Sequence, residues 1–179
     1  MKTLNFLCMT LAAAWMWSCS SGPSLQQYYV DKAEDGHFVS LDIPTSMLNL
    51  DEVALSETER EVLASLKKMN VLAFRANDAN REAFALEKEK VAAILKGKKY
   101  GELMKMNTPY GKATLRMVGE GDAIDELVVY GAHDEKGFVL VRLLGNDMNP
   151  AHLVQFIQLL SKSDVNLDQF EDFKEVFQD

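Results

Sequence analysis

Residues 126–160 read ELVVYGAHDEKGFVLVRLLGNDMNPAHLVQFIQLL, the most strongly patterned stretch of the chain. Glu126 to Gly131 is a strand candidate, Asp134-Glu-Lys-Gly137 is turn chemistry, and Gly137 to Leu144 is a second strand. In that second strand Val139, Val141 and Leu143 face one way, and Phe138, Leu140, Arg142 and Leu144 the other. Apolar residues on both faces mark a central strand, which makes Arg142 conspicuous. Two readings stay open for Arg142: an edge residue with its head in water, or a buried cation, which is costly unless paired and would need a carboxylate such as Asp125 or Glu126, in a structural rather than a catalytic role. Gly145 to Asp147 is then expected to turn the chain. Asn149 is a good N-cap and Pro150 suits the first helical position. Leu153, Phe156, Ile157 and Leu160 follow at i, i+3, i+4 and i+7, the stripe of an amphipathic helix.

Two more strand candidates precede this stretch, Tyr100 to Met106 and Lys112 to Val118. Their links, Asn107 to Gly111 and Gly119 to Asp122, are too short for a parallel crossover and predict antiparallel neighbours. Further upstream, His37 to Ile43 alternates with Val39, Leu41 and Ile43 on one face, a half-buried strand that Pro44 ends before a short helix through Ser46 to Asn49. Ser56 with Glu59 is a capping-box signature, and Val62, Leu63, Leu66 and Met69 form the stripe expected of the helix it opens. Asn70 to Arg75 reads as a short buried strand. Asp78 is the expected cap of a long helix to about Lys96, with Phe84, Val91, Ile94 and Leu95 inward, the Glu87-Lys88-Glu89-Lys90 run as its solvated face, and Gly97 as its C-cap. Phe170, Phe173 and Phe177 predict a last helix. The expected fold is α+β: one domain, an antiparallel sheet of about five to six strands, helices packed on one face.

The N-terminus carries the clearest functional signal. Lys2 is followed by a mostly apolar run of 14 residues, Leu4 to Trp17, the length of a signal-peptide h-region and too short for a comfortable membrane span. Ser18-Cys19 then resembles a bacterial lipobox, a loose one because Trp17 stands where a small residue is usual. Residues 1–18 are thus expected to be a lipoprotein signal peptide, 19–27 a lipidated tether and 28–179 the folded domain. The thiol of Cys19 would take a diacylglycerol, and acyl chains such as palmitate would hold the protein to a membrane. Cys8 leaves with the signal, so the mature domain is expected to have no free thiol, disulfide or thiolate chemistry.

The 179-residue chain has 47% hydrophobic and 26% charged residues, an ordinary globular mix, and a formal net charge of −8. Losing residues 1–18, whose only charge is Lys2, leaves −9. That balance argues against binding nucleic acid or anionic lipid head groups through a basic surface. The three histidines, His37, His133 and His152, share no metal-ligand spacing. The acidic groups Glu120, Asp122, Asp125 and Glu126, and separately Asp134 and Glu135, lack the calcium-loop pattern and read as solvated turns. Gly119-Glu-Gly121 lacks the third glycine of a dinucleotide loop, and no GxSxG or Walker sequence occurs. No cofactor or metal is expected. His133 and Arg142 alone exceed what folding needs, as candidate ligand-binding residues.

The segments FVSLDIP with Leu48-Asn49-Leu50, LKKMNVLAF, and DAIDELVVYGAHDEKGFVLVRLLGNDMNP resemble the bacterial lipoprotein family known as domain of unknown function 4252. The resemblance runs from about Leu25 to the C-terminus. It implies an envelope lipoprotein with one α+β domain, and it brings no catalytic residues. Two function classes follow as expectations. The preferred one is a non-enzymatic binding or envelope-maintenance module with a protein or ligand partner. The alternative is an envelope hydrolase whose site forms only in three dimensions. Ser20 after the cysteine, rather than Asp, favours the outer membrane, facing the periplasm.

Overall fold

The computed structural model describes residues 24–44, 56–108, 111–121 and 123–152. The order of elements is α1 (Leu25–Lys32), β1 (Phe38–Pro44), α2 (Glu57–Ser65), β2 (Leu66–Arg75), α3 (Arg81–Leu95), β3 (Gly101–Thr108), β4 (Gly111–Glu120), β5 (Ala123–His133) and β6 (Gly137–Met148). Strands β3 to β6 form an antiparallel meander whose last member returns to pair with β2. The six-stranded sheet therefore runs β1-β2-β6-β5-β4-β3, antiparallel throughout. Strand β6 is central, as its two apolar faces predict, and the fold is α+β.

Cross-strand register sets the two faces. Phe38, Leu72, Phe74, Val128, Phe138 and Leu140 share one, packed against Leu25, Tyr28 and Tyr29 of α1 and Phe84, Val91, Ile94 and Leu95 of α3. Phe38, Phe74, Phe84 and Phe138 form a ring cluster there, with centroids 5.0–6.2 Å apart. A second cluster on the opposite face joins Ile43, Leu127 and Leu143 to Val62 of α2, so α2 sits across the sheet from α1 and α3.

Several local expectations shift. The folded domain includes residues before 28, because Leu25 is fully buried and opens α1, with the Ser24 hydroxyl accepting from the Gln27 amide at 3.1 Å. The Ser56–Glu59 capping box is present, but α2 ends at Ser65. Leu66 and Met69 belong to β2, because pairing with both β1 and β6 outweighs a helical stripe that local sequence alone favours. Asn80, not Asp78, is the cap residue of α3. The Asn77–Asn80 turn satisfies its own amides through the Asn77 and Asn80 side chains, and Asp78 pairs with Arg81. Lys96 in right-handed helical backbone ends α3, with Gly97 just beyond it. Gly145 to Asp147 does not turn the chain: β6 runs on to Met148, with Asp147 at φ 48° absorbing the irregularity. A Cβ at Gly145 would overlap the Ser65 carbonyl, so only glycine lets β6 pass there. The Asn149 carboxamide caps the helical turn at Pro150 by accepting from the Ala151 amide at 2.9 Å. The expectations for Met1 to Pro23, for Ser46 to Asn49 and from Leu153 onward lie outside the described residues.

Candidate functional site

An eight-residue helix is marginal by itself, so α1 depends on what it packs against. Its inner face meets a row of polar side chains crossing four strands. Asp42 of β1, Asn70 of β2 and Arg142 of β6 stand side by side in register, and Glu126 of β5 lies diagonally next to them. The Arg142 guanidinium grips Glu126 with both prongs, Nε to Oε1 at 2.8 Å and one terminal nitrogen to Oε2 at 3.2 Å. Both side chains are buried, with 8% and 5% exposure. The other terminal nitrogen of Arg142 donates to the Gln26 carboxamide on α1. Lys99, after α3, adds a second cation to Glu126 at 3.3 Å. Asn70 donates to Asp42, which also pairs with Lys68 at 2.8 Å.

The rest of α1 is bolted down in the same way. The Tyr29 hydroxyl donates to the Leu140 carbonyl at 3.0 Å. The Tyr28 hydroxyl donates to Glu87 of α3 at 2.8 Å, and Glu87 also pairs with Lys32 at 3.0 Å and Lys90 at 2.8 Å. Burial by itself raises the Glu87 pKa, but the bonds from Lys90, Tyr28 and Lys32 outweigh it and hold the carboxyl below its ordinary value. The pKa of the Tyr100 hydroxyl is pushed up to about 12 by burial and then by the Glu126 charge. Among the described residues no buried side-chain polar atom lacks a hydrogen-bond partner. This belt is a closed network, and what it does physically is fix α1 to the sheet.

At the other end of the same face lies a cleft of about 760 Å³ between α3 and strands β4 and β5. Lys88, Lys112, Thr114, Tyr130, His133 and Asp134 are among its walls, a volume and mixture within the range of ligand clefts. Tyr130 is half-buried against Phe138. Burial first, and then the Asp134 charge, push its hydroxyl up to about 12, so it stays a hydrogen-bond donor at neutral pH. Lys88 pairs with Asp134 at 2.6 Å and holds that carboxyl below its ordinary range. The His133 ring accepts the Glu135 amide at Nδ1, 3.2 Å, which puts the ring proton on Nε2.

The structure therefore separates the two candidates taken from sequence. His133 faces Gly137 in the register, five residues along β6 from Arg142, roughly 17 Å of strand. Arg142 has the carboxylate partner expected of a buried cation, Glu126. Asp125 and Glu126 are not turn residues, since β5 begins at Ala123. His37 is exposed and bonds to Asp35 at 3.0 Å, and His152 lies 4.0 Å from Glu61, so the three histidines stay apart. Among the described residues no group of three or more His, Cys, Asp or Glu is placed to hold a metal ion. Sequence reading missed Gln26, Asn70, Lys99 and Glu87. Of these only Glu87 had a signal: it falls between Phe84 and Val91 on the inner stripe of α3 and is buried, not part of a solvated run.

The family model described as Domain of unknown function (DUF4252) matches residues 28–156, most of the chain. The chain belongs to the DUF4252 family. The matched span contains the Arg142–Glu126 pair and all of the cleft, while Gln26 lies just before it. No curated protein and no solved structure matches the chain. Membership in DUF4252 carries no activity with it, so function has to be argued from the two places just described.

Proposed function

We propose that this DUF4252 protein is an envelope lipoprotein: acyl chains on Cys19 hold it to the outer membrane, and its domain serves the periplasm as a non-enzymatic binding module. The observation that carries this reading is the fixing of α1. Helix α1 opens six positions after Cys19 and is tied to β6 and α3 by hydrogen bonds and an ion pair. A chain pulled through an N-terminal anchor needs its load taken into the sheet, and Arg142–Glu126–Gln26 does that. The cleft is the ligand site of this reading. Tyr130, Thr114 and Lys112 present donors to it, suited to a ligand rich in acceptor oxygens.

The test is the intact mass of the mature chain extracted from membranes. A diacylglyceryl-cysteine with an N-acyl chain at residue 19 is expected; a mature N-terminus without acyl mass overturns the anchor. The hydrolase alternative has one observation on its side, the meeting of His133 and Asp134 in the cleft. Against it, Asp134 is committed to Lys88, and His133 Nδ1 to the Glu135 amide. Ester, peptide or glycoside turnover by the wild type that is lost in His133→Ala would replace the binding reading with the enzymatic one.

A further inference from the structure

We infer that the loop after α3 is a membrane-docking surface, which seats the domain on the anionic lipid head groups of the bilayer that Cys19 enters. The inference rests on the lipoprotein reading above and deepens it. Lys96, Lys98 and Lys99 are three exposed lysines within four residues, on a chain whose net charge is strongly negative. Among the described residues Lys96 and Lys98 have no ion-pair partner, and Lys99 keeps half of its side chain in solvent while reaching Glu126.

Position makes this loop more than a solvated face. Lys99 reaches Glu126 at 3.3 Å, Arg142 holds Glu126 at 2.8 Å, and the same guanidinium donates to Gln26, the second residue of α1. Lys99 thus stands beside the start of α1, and Lys96 and Lys98 precede it in the same short loop. Five residues separate Cys19 from Leu25, and even fully extended the six steps span no more than about 22 Å. An acylated Cys19 therefore holds this end of the domain, and no other, against the bilayer surface.

The overall acidity does not oppose the contact. Fixed charges beyond a Debye length of about 8–10 Å are screened at physiological salt, so the local charge decides. Two carboxylates beside the loop have arginine partners: Glu126 with Arg142 at 2.8 Å, and Glu102 with Arg116 at 3.0 Å. Juxtamembrane lysines at an anionic surface each favour the docked state by about fivefold. The tether supplies the high effective concentration that lets so small a patch act.

The experiment reconstitutes the mature acylated chain into vesicles of phosphatidylglycerol with phosphatidylcholine, or of phosphatidylcholine alone. Amine-reactive labelling is then followed lysine by lysine. In anionic vesicles Lys96 and Lys98 should label at least about fivefold more slowly than in neutral ones, with the difference lost in half-molar salt. Lys112, at the opposite end of the sheet, should label equally in both and serves as the internal control. In K96Q/K98Q, whose changes are at exposed positions, Lys99 should label in anionic vesicles as fast as in neutral ones. Equal labelling of Lys96 and Lys98 in the two vesicle types overturns the docking surface while the acyl mass on Cys19 still stands. Absence of that acyl mass overturns both readings together.

Discussion

Removing Arg142 is the sharpest test of what the polar belt does. In Arg142→Leu the Glu126 carboxylate, 5% exposed, loses both prongs of the guanidinium and keeps only Lys99 at 3.3 Å. Gln26 loses its partner at the same time. Breaking a buried pair by deleting one member costs about 3–5 kcal/mol, and the surviving half-exposed lysine places the expectation near the lower end, about 3 kcal/mol. For a domain of this size that is a fall in Tm of roughly 6–12 °C. The companion variant Arg142→Leu with Glu126→Leu removes the stranded charge as well, and should recover to within about 1 kcal/mol of the wild type. Urea unfolding of the wild type, the two single variants and the double variant closes a double-mutant cycle, in which the two single losses together should exceed that of the double variant by several kcal/mol, about 5. Hydrogen exchange supplies the local readout: amides of Leu25–Lys32 should lose protection in Arg142→Leu before those of β6 do. A single-variant cost below 1 kcal/mol, or α1 amides unchanged, would refute the claim that this pair fixes α1.

Other expectations follow from single contacts. Glu87→Gln should cost about 2 kcal/mol at pH 7, because three hydrogen bonds to a charged acceptor are weakened. Its pH dependence has a definite sign. The folded Glu87 pKa lies below the ordinary 4.5, so the stabilisation is full above that pH and is lost as pH falls beneath it. Melting curves of wild type and Glu87→Gln should therefore converge on acidification below about pH 4 and stay parallel from pH 5 to 7; convergence on the alkaline side would contradict the assignment. Ser56→Ala removes the acceptor for the Glu59 amide and half of a capping box, for a loss of about 1 kcal/mol in urea titration. Gly137→Ala should cost about 3 kcal/mol or more, since Gly137 sits at φ 127° and a Cβ would overlap the Phe74 carbonyl. Gly36→Ala, with open space around it, serves as the matched control and should stay within about 0.5 kcal/mol of wild type.

Much of the sheet was legible in the sequence. Alternation over residues 137–144 with apolar side chains on both faces determines a central strand, and short turn-rich links determine antiparallel neighbours, because those are local consequences of pleat and chain length. The capping box at Ser56 and the cap at Asn149 are likewise local, and the structure has both. The need of a buried Arg142 for a carboxylate could be read from one residue, since the cost of burying a charge does not depend on the fold.

Tertiary structure decided the rest, wherever two distant segments compete or meet. Leu66 and Met69 fit a helix by spacing, yet Leu66 pairs with β6 and Met69 with both β1 and β6, whose positions no local pattern encodes. Leu25 looked like tether because a lone leucine among polar residues buries nothing until Tyr100 and the sheet lie beside it. Gln26 and Arg142 are 116 residues apart, Lys99 and Glu126 27 apart, and only chain closure shows that they form one network. The 126–160 stretch that decides the fold from sequence is therefore scaffold, as its pattern implies, with one addition. Arg142 is where that scaffold grips the helix leading to the N-terminus, and a side chain's role in such a grip depends on what the rest of the chain brings to it.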